Sequence, residues 1–267
     1  MKAADLRIHI SPVGFDPPER VTSPLVEYRA DEVYLISKSK DDFASDRMKQ
    51  IQRIVKSYPH IKIHEVYVNI WDLFSALEKY REIFDSEKGN HIYVNVSTGS
   101  KIISIAGMIA CMLWNGTPYY TKLNYEDGGA SVSTGSRKVK DTEFLPVYQI
   151  AMPSQELLNV LSIIKEKGHH HNGSKISKKK LIEELQSLGI IPVYLPSQPK
   201  SAPHSRLRAL LEPLENHWKF IEVKSRGRNS EVSLTEQGKS ALRIFGSGSL
   251  PQEEQEREEL SNDSFHD

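Results

Sequence analysis

Residues 95–101 (Asn-Val-Ser-Thr-Gly-Ser-Lys) combine small residues, hydroxyl groups and a lysine just before an apolar helical stretch. The free amides and the dipole at the start of a helix, together with the lysine charge, suit an anionic group. A second polar loop, residues 11–16, follows the first β-type stretch. Because ligands of open α/β sheets bind outside the carboxyl ends of the strands, we expect both loops to line one anion site. An ordinary capped turn is the alternative for residues 95–101.

Neither loop has the G-x-G-x-x-G or Walker spacing, which argues against NAD chemistry and ATP hydrolysis. The three histidines of residues 169–171 fall short of the four well-placed ligands of a structural zinc site, and a solvated loop is the simpler interpretation. The sequence therefore predicts no catalytic residue, no metal site and no cofactor.

Charge is segregated along the chain. Residues 154–246 hold fifteen Lys and Arg against nine Asp and Glu, a net of +6, whereas residues 1–153 hold nineteen of each. Residues 247–267 hold one Arg and seven acids, a net of −6. A basic domain of this kind predicts a polyanionic partner.

We expect a cytoplasmic protein with no membrane partner. No apolar run reaches the roughly 18 residues that cross a bilayer, and the first residues do not resemble a signal peptide. The single cysteine, Cys111, excludes an intrachain disulfide and fits a reducing compartment, where it is expected to be a core residue.

β-type and helical stretches alternate in the first half, which predicts a Rossmann-like, mainly parallel α/β sheet over residues 1–152. The β-type stretches are residues 7–13, 32–36, 61–68, 91–96 and 117–122, and the helical ones are 44–57, 71–84 and 101–115. Residues 127–147 are polar and rich in Gly and Ser, so an irregular excursion or an edge hairpin is expected there.

The second half has the pattern of an α+β winged helix-turn-helix over residues 153–246. Three helices are expected at residues 155–167, 178–188 and 203–216, followed by a hairpin at residues 220–234 and a closing helix capped by Thr235. Residues 247–267 have too little apolar content to fold alone, so a disordered acidic tail is expected.

A winged helix binds double-stranded DNA with its third helix in the major groove and its basic hairpin on the backbone or minor groove. A contact surface for another protein is the alternative. The candidate DNA-binding residues are Lys178, Lys179, Lys180, His204, Ser205, Arg206, Arg208, Lys224, Arg226 and Arg228.

Two motifs resemble an archaeal family of regulators in which a CRISPR-associated Rossmann fold (CARF) domain precedes a winged helix. They are I-H-I-S-P-V-G-F-D with the nearby S-P-L-V, and H-I-Y-V-N-V-S-T-G-S-K with its apolar helix. The resemblance implies a homodimer with a shared pocket for a cyclic oligonucleotide, such as cyclic oligoadenylate. By position, it implies that the pocket is lined by Ser11, Gly14, Phe15, Asn95, Ser97, Thr98, Gly99 and Lys101.

The sequence thus favours a ligand-responsive transcriptional regulator that is not an enzyme. The alternative is a ring nuclease that cleaves cyclic oligoadenylate, as some CARF domains do. In that case Ser11 or Ser97 would orient a ribose 2′-hydroxyl, Lys101 would stabilise developing charge, and Asp16 is the only obvious general base.

Overall fold

The computed structural model describes residues 5–41, 43–124, 139–168, 175–193, 201–226 and 229–246, without the side chains of residues 225, 226 and 229. The predictions for the histidine run at residues 169–171, for Arg228 and for the tail at residues 247–267 lie outside the described residues. The chain divides into two compact units, Met1–Met152 and Pro153–Asp267.

The first unit is built around a six-stranded sheet with the order β3-β2-β1-β4-β5-β6. β1 to β5 run parallel, and β6 pairs antiparallel with β5. This order of the five parallel strands is the doubly wound Rossmann arrangement, so the predicted fold class is confirmed. The elements are β1 (Arg7–Pro12), α1 (Glu19–Glu27), β2 (Glu32–Ser37), α2 (Ser45–Val55), β3 (Lys62–Tyr67), α3 (Leu73–Ser86), β4 (His91–Asn95), α4 (Lys101–Trp114), β5 (Thr117–Leu123) and β6 (Val139–Phe144).

Helices cover both faces of this sheet because its central strands are apolar on both sides. On one face, Val33 and Leu35 of β2 pack with Met48 and Ile51 of α2. On the other face, α4 lies so close to the sheet that a Cβ on Gly107 would come within 2.9 Å of Val94 Cγ1. Cys111 is fully buried in α4, as expected of a core residue.

One helix of the first unit differs from expectation. α1 was not predicted from the sequence. It includes Pro24 within the helix and follows Pro17 and Pro18. Proline inside a helix normally signals a break, and that signal hid the helix. In the polar region at residues 127–147, β6 lies at the sheet edge and pairs antiparallel with β5, as expected of an edge hairpin.

The second unit contains the expected helices and hairpin around one apolar core, which includes Leu161, Leu185 and Leu210. Its elements are α5 (Gln155–Lys167), β7 (Lys175–Ser177), α6 (Lys178–Ser187), α7 (Ala202–Glu212), β8 (Ile221–Arg226), β9 (Asn229–Leu234) and α8 (Glu236–Phe245). The three strands have the order β7-β9-β8. β7 was missed because three residues are too few for a periodic pattern. The expected third helix ends at Glu212 and continues as a π-helical turn over Pro213–His217.

Side-chain caps set the helix starts of this unit. Ser154, Ser177 and Thr235 each accept a hydrogen bond from a backbone amide three residues further on, as expected for Ser and Thr in this position. Within the described part of the chain, no helix is long and apolar enough to cross a membrane.

Candidate functional site

The two polar loops meet where the strand order reverses, between β1 and β4, which is where ligands bind in open α/β sheets. Gly14 and Gly99 bring the loops into contact. A Cβ on Gly14 would lie 3.0 Å from the Cα of Gly99, and a Cβ on Gly99 would lie 2.6 Å from Pro12 Cβ. Gly99 also has a φ of 81°, in the left-handed region that favours glycine. The close approach of the loops therefore depends on these glycines.

Three of the predicted ligand-binding residues are buried and hold the loops in place. Ser11 and Asn95 have no exposed surface, and Thr98 is 1% exposed. The Thr98 hydroxyl donates to the Pro12 carbonyl at 2.7 Å, which joins the β4 loop to the end of β1. The Asn95 side-chain amide donates to the Arg20 carbonyl at 2.9 Å. These side chains are thus engaged with the protein, and direct ligand contact by them stays a prediction.

Asn95 also shapes the turn before α4. Its side-chain oxygen accepts hydrogen bonds from the backbone amide and the hydroxyl of Ser97. The Ser11 hydroxyl lies 3.4 Å from the Tyr119 hydroxyl, beneath the loop rather than at its surface. Positioning of the turn is the role that these bonds support.

The first turn of α4 is fixed by Ser100. Its hydroxyl accepts from the backbone amide of Ile103 at 3.2 Å and donates to the carbonyl of Ile70 at 2.6 Å. Ile70 lies in the loop between β3 and α3. The turn is thereby tied to a third strand end, and Lys101 projects from it as an exposed residue at the start of α4.

Asp16 and Arg20 belong to this site, although the sequence pointed only to Asp16, and to that residue only as a general base. One Asp16 oxygen accepts from the Gly99 amide at 3.2 Å, and the other accepts from the Arg20 guanidinium at 2.8 Å. Arg20 is 8% exposed and also donates to the Thr121 carbonyl at 3.1 Å. The i, i+4 spacing of Asp16 and Arg20 was a signal for this ion pair. A carboxylate with both oxygens engaged is poorly placed to act as a general base.

Three exposed aromatic rings stand at the same edge. Phe15, Phe43 and Trp71 are 74%, 44% and 56% exposed. The Phe15 and Phe43 ring centres are 4.7 Å apart, and those of Phe43 and Trp71 are 6.3 Å apart. Of the three rings, only Phe15 was predicted from the sequence, because Phe43 and Trp71 lie outside the two polar loops at residues 11–16 and 95–101.

His9 lies buried beneath the loops. It stacks on Tyr93 with ring centres 5.0 Å apart, and its Nδ1 is 3.3 Å from the Tyr119 hydroxyl. Burial lowers the pKa of His9 from 6.5 to about 3, with Arg7 adding to the shift and Asp31 opposing it. Neutral His9 is thus part of the structural support of the site. In the described ranges, no group of three or more His, Cys, Asp or Glu residues could hold a metal ion.

In the second unit, α7 has the two-sided character of a recognition helix. Leu207, Leu210 and Leu211 are buried against the core, whereas His204, Ser205, Arg206 and Arg208 are exposed. All four candidate DNA-binding residues of this helix are therefore exposed to solvent.

Arg206 forms an ion pair with Glu156 of α5. The two side chains are 42% and 38% exposed. Exposed pairs of this kind contribute roughly 0–1 kcal/mol, so the contact is weak enough to exchange for a phosphate. Arg206 is therefore not folded into the core.

The other basic candidates fall on two elements. Lys178, Lys179 and Lys180 form the first turn of α6, whose start is capped by Ser177. Lys224 of β8 lies 3.2 Å from Glu222 as an exposed ion pair. Arg226 ends β8, but its side chain is outside the described residues, as is all of Arg228. DNA binding by Lys224, Arg226 and Arg228 of the hairpin therefore stays a prediction.

Family models match both units. Residues 7–125 match the model described as "HFX_2341_N:-like, N-terminal". Residues 156–246 match "DUF6293 C-terminal winged helix domain". Together with the strand order, these matches confirm the predicted layout of a Rossmann-like domain followed by a winged helix domain.

A curated relative is the uncharacterized protein MJ1513 of Methanocaldococcus jannaschii, which is 25% identical over 214 residues. The aligned part covers 68% of this chain and 62% of that protein, so this chain spans less than two thirds of the relative.

Solved structures with a similar fold include proteins bound to cyclic oligoadenylates. Enterococcus italicus Csm6 bound to cyclic hexa-2′-fluoro-hexa-dAMP has 12% identity and a TM-score of 0.39, over 80% of this chain and 56% of that one. Can2 from Sulfobacillus thermosulfidooxidans, in complex with cyclic tetra-adenylate, has 12% identity and a TM-score of 0.37, over 90% and 64%. Protein VC1899 from Vibrio cholerae has 12% identity and a TM-score of 0.38, over 90% and 64%.

Proposed function

From a Rossmann-like domain joined to a winged helix domain, we propose that this protein is a DNA-binding transcriptional regulator that responds to an anionic nucleotide ligand. The observation that carries the proposal is the solvent-facing surface of α7, where His204, Ser205 and Arg208 are exposed opposite a buried leucine face. This is the arrangement that a helix needs to present polar and basic side chains to the major groove. The net charge of +6 on residues 154–246 favours DNA over a neutral protein partner.

The ligand side of the proposal is supported by the edge between β1 and β4. Lys101 is exposed at the start of α4. Hydrogen bonds of the Asn95, Thr98 and Ser100 side chains fix the turn around it. A cation at a helix start on a fixed turn favours a phosphate group. The resemblance to CARF regulators implies a cyclic oligoadenylate, bound across a homodimer.

A ligand can change DNA binding only by its different affinity for two arrangements of the protein. In a homodimer, the separation of two winged helices must match the spacing of two half-sites, about one helical turn of DNA. Binding of one ligand across both Rossmann-like domains would favour one separation. That is the coupling that we propose.

The test measures the affinity of the full chain for a fluorescent duplex from the region upstream of its own coding sequence, with and without cyclic tetra-adenylate. We expect the dissociation constant to change about 5- to 150-fold, the usual range of allosteric coupling. Lys101→Ala is expected to lose this response while binding the duplex as the wild type does. Lys88→Ala is the matched control, because it removes an exposed lysine from the loop between α3 and β4. A duplex affinity that cyclic tetra-adenylate leaves unchanged would contradict the proposal.

We also propose that the ligand is bound and not cleaved. The candidate base that the sequence offers at the site, Asp16, has one oxygen on the Gly99 amide and the other on Arg20. Incubation of labelled cyclic tetra-adenylate with excess protein is expected to return the intact ring. Accumulation of linear product, lost in Ser97→Ala or Lys101→Ala, would establish the ring nuclease instead.

A further inference from the structure

The rings of Phe15, Phe43 and Trp71 form a continuous exposed surface, which we call the aromatic platform. Each ring comes from a different loop, after β1, β2 and β3 respectively. The rings are in sequence along the platform, with centre separations of 4.7 Å and 6.3 Å. Large aromatic side chains exposed together, rather than singly, mark a binding surface.

The platform borders the turn that carries Lys101. At one end, Phe15 follows Gly14, where an added Cβ would lie 3.0 Å from the Cα of Gly99. At the other end, Trp71 follows Ile70, whose carbonyl accepts the Ser100 hydroxyl at 2.6 Å. Both ends of the platform are therefore adjacent to the first turn of α4. A ligand that reached Lys101 would therefore be close to the aromatic platform.

We propose that the aromatic platform stacks the nucleobases of the nucleotide ligand whose phosphate lies at Lys101, an inference that rests on the proposed function. Three neighbouring rings that are 44% to 74% exposed, close to the turn that carries a cation, match a base attached to a phosphate. Base stacking on aromatic side chains requires no particular base, because every base has a π-face. An apolar peptide would cover the rings equally well but would gain nothing from Lys101.

The test compares two linear probes with the same phosphates, 5′-phosphorylated tetra-adenylate and an abasic strand of equal length. The proposal predicts that the full chain binds the adenylate more tightly than the abasic strand, and that adenylate binding quenches tryptophan fluorescence. The chain has three tryptophans, so the quenching must be assigned with Trp71→Phe, which keeps a stacking ring but removes the indole.

Trp71→Ala and Phe43→Ala are each expected to weaken adenylate binding about 5- to 150-fold and to leave abasic-strand binding unchanged. Trp71→Phe is expected to restore most of the affinity while abolishing the quenching. Tyr148→Ala is the matched control, because Tyr148 is 77% exposed and lies outside the platform. All variants alter exposed rings, and equal melting temperatures would show that each is folded.

Equal binding of the two strands, or binding of neither, would overturn the inference. So would a change from dimer to monomer in Trp71→Ala, because the platform would then be covered by a second copy of the chain. These outcomes do not decide whether the proposed function is correct. Duplex affinity that responds to cyclic tetra-adenylate in Trp71→Ala as in the wild type would leave the regulator standing without the platform.

Discussion

The Asp16 carboxylate accepts a hydrogen bond from the backbone amide of Gly99 at 3.2 Å, across 83 positions of the sequence. The bond places a negative charge of the protein at the turn that precedes α4. Arg20 holds the second oxygen of the same carboxylate at 2.8 Å. An incoming phosphate would therefore lie next to the Asp16 carboxylate, which already accepts the hydrogen bond of the Gly99 amide.

Asp16→Asn is expected to tighten binding of cyclic tetra-adenylate about tenfold, because it removes a like charge next to the phosphate while keeping an oxygen that can accept from Gly99. Titration calorimetry would measure the change. Asp85→Asn, which neutralises an exposed acid on α3, is the control for the change in net charge and is expected to bind as the wild type does. Weaker binding by Asp16→Asn would mean that the carboxylate supports the ligand site instead of competing for it.

Features formed by residues that are close in sequence could be predicted, whereas contacts between distant residues could not. α4 and its cap were predictable because the apolar run and the preceding Ser100 are contiguous in sequence. The contact of Asp16 with Gly99 was not, since it depends on which strands become neighbours in the sheet. The aromatic platform was missed for the same reason: Phe15, Phe43 and Trp71 each look like an ordinary loop residue until three strand ends are aligned.

The two polar loops were selected correctly as neighbours, because the carboxyl ends of parallel strands share one edge. Which of their residues bind a ligand and which stabilise the turn could not be predicted from the sequence. Hydroxyl and amide groups suit a ligand and a tightly bonded turn equally well. In the structure, Ser11 and Asn95 have no exposed surface whereas Lys101 is exposed, and ligand contact by each of the three stays a prediction.

Gly99→Ala is expected to lower the free energy of unfolding of the first unit by about 3 kcal/mol. The added Cβ would meet Pro12 Cβ at 2.6 Å and Ile103 Cγ2 at 2.9 Å, at a φ of 81°. Chemical denaturation followed by circular dichroism measures the loss. Gly89→Ala is the matched control, because Gly89 has a φ of 97° but no atom within 4 Å of its added Cβ. We expect about 1 kcal/mol there, from backbone strain alone, and equal losses at the two glycines would refute the loop contact.

Arg208→Ala is expected to weaken binding of duplex DNA, and to reduce the slope of log affinity against log salt by about one if the side chain contacts a phosphate. The double variant Arg226→Ala with Arg228→Ala is expected to weaken binding at all sequences and to flatten the salt dependence further. Fluorescence anisotropy at several salt concentrations measures both effects. Lys165→Ala removes one exposed charge from α5 of the same unit and is the control. Slopes that match those of the control would assign the winged helix to a protein partner.

Acid is expected to destabilise the first unit through His9. Its pKa is about 3 in the folded protein against 6.5 in the unfolded chain, so between these values the unfolded state binds more protons. Stability is therefore unaffected above the unfolded value and falls as the pH drops below it, by about 1 kcal/mol between roughly pH 7.5 and pH 5.5. Denaturation curves at the two pH values measure this loss.

His9→Gln is expected to show a smaller loss over the same pH range, because glutamine does not titrate. The comparison with the wild type cancels the contributions of the other histidines. An equal loss in His9→Gln and in the wild type would show that another group is responsible.

Thermodynamic coupling is reciprocal, so under the proposed function duplex DNA must change ligand affinity by the same factor by which the ligand changes DNA affinity. The most direct measurement is a calorimetric titration of the full chain with cyclic tetra-adenylate, in the absence and in the presence of saturating duplex. We predict that the ligand dissociation constant shifts by the factor found in the DNA-binding experiment, in the same direction. Identical ligand dissociation constants with and without duplex would contradict the account.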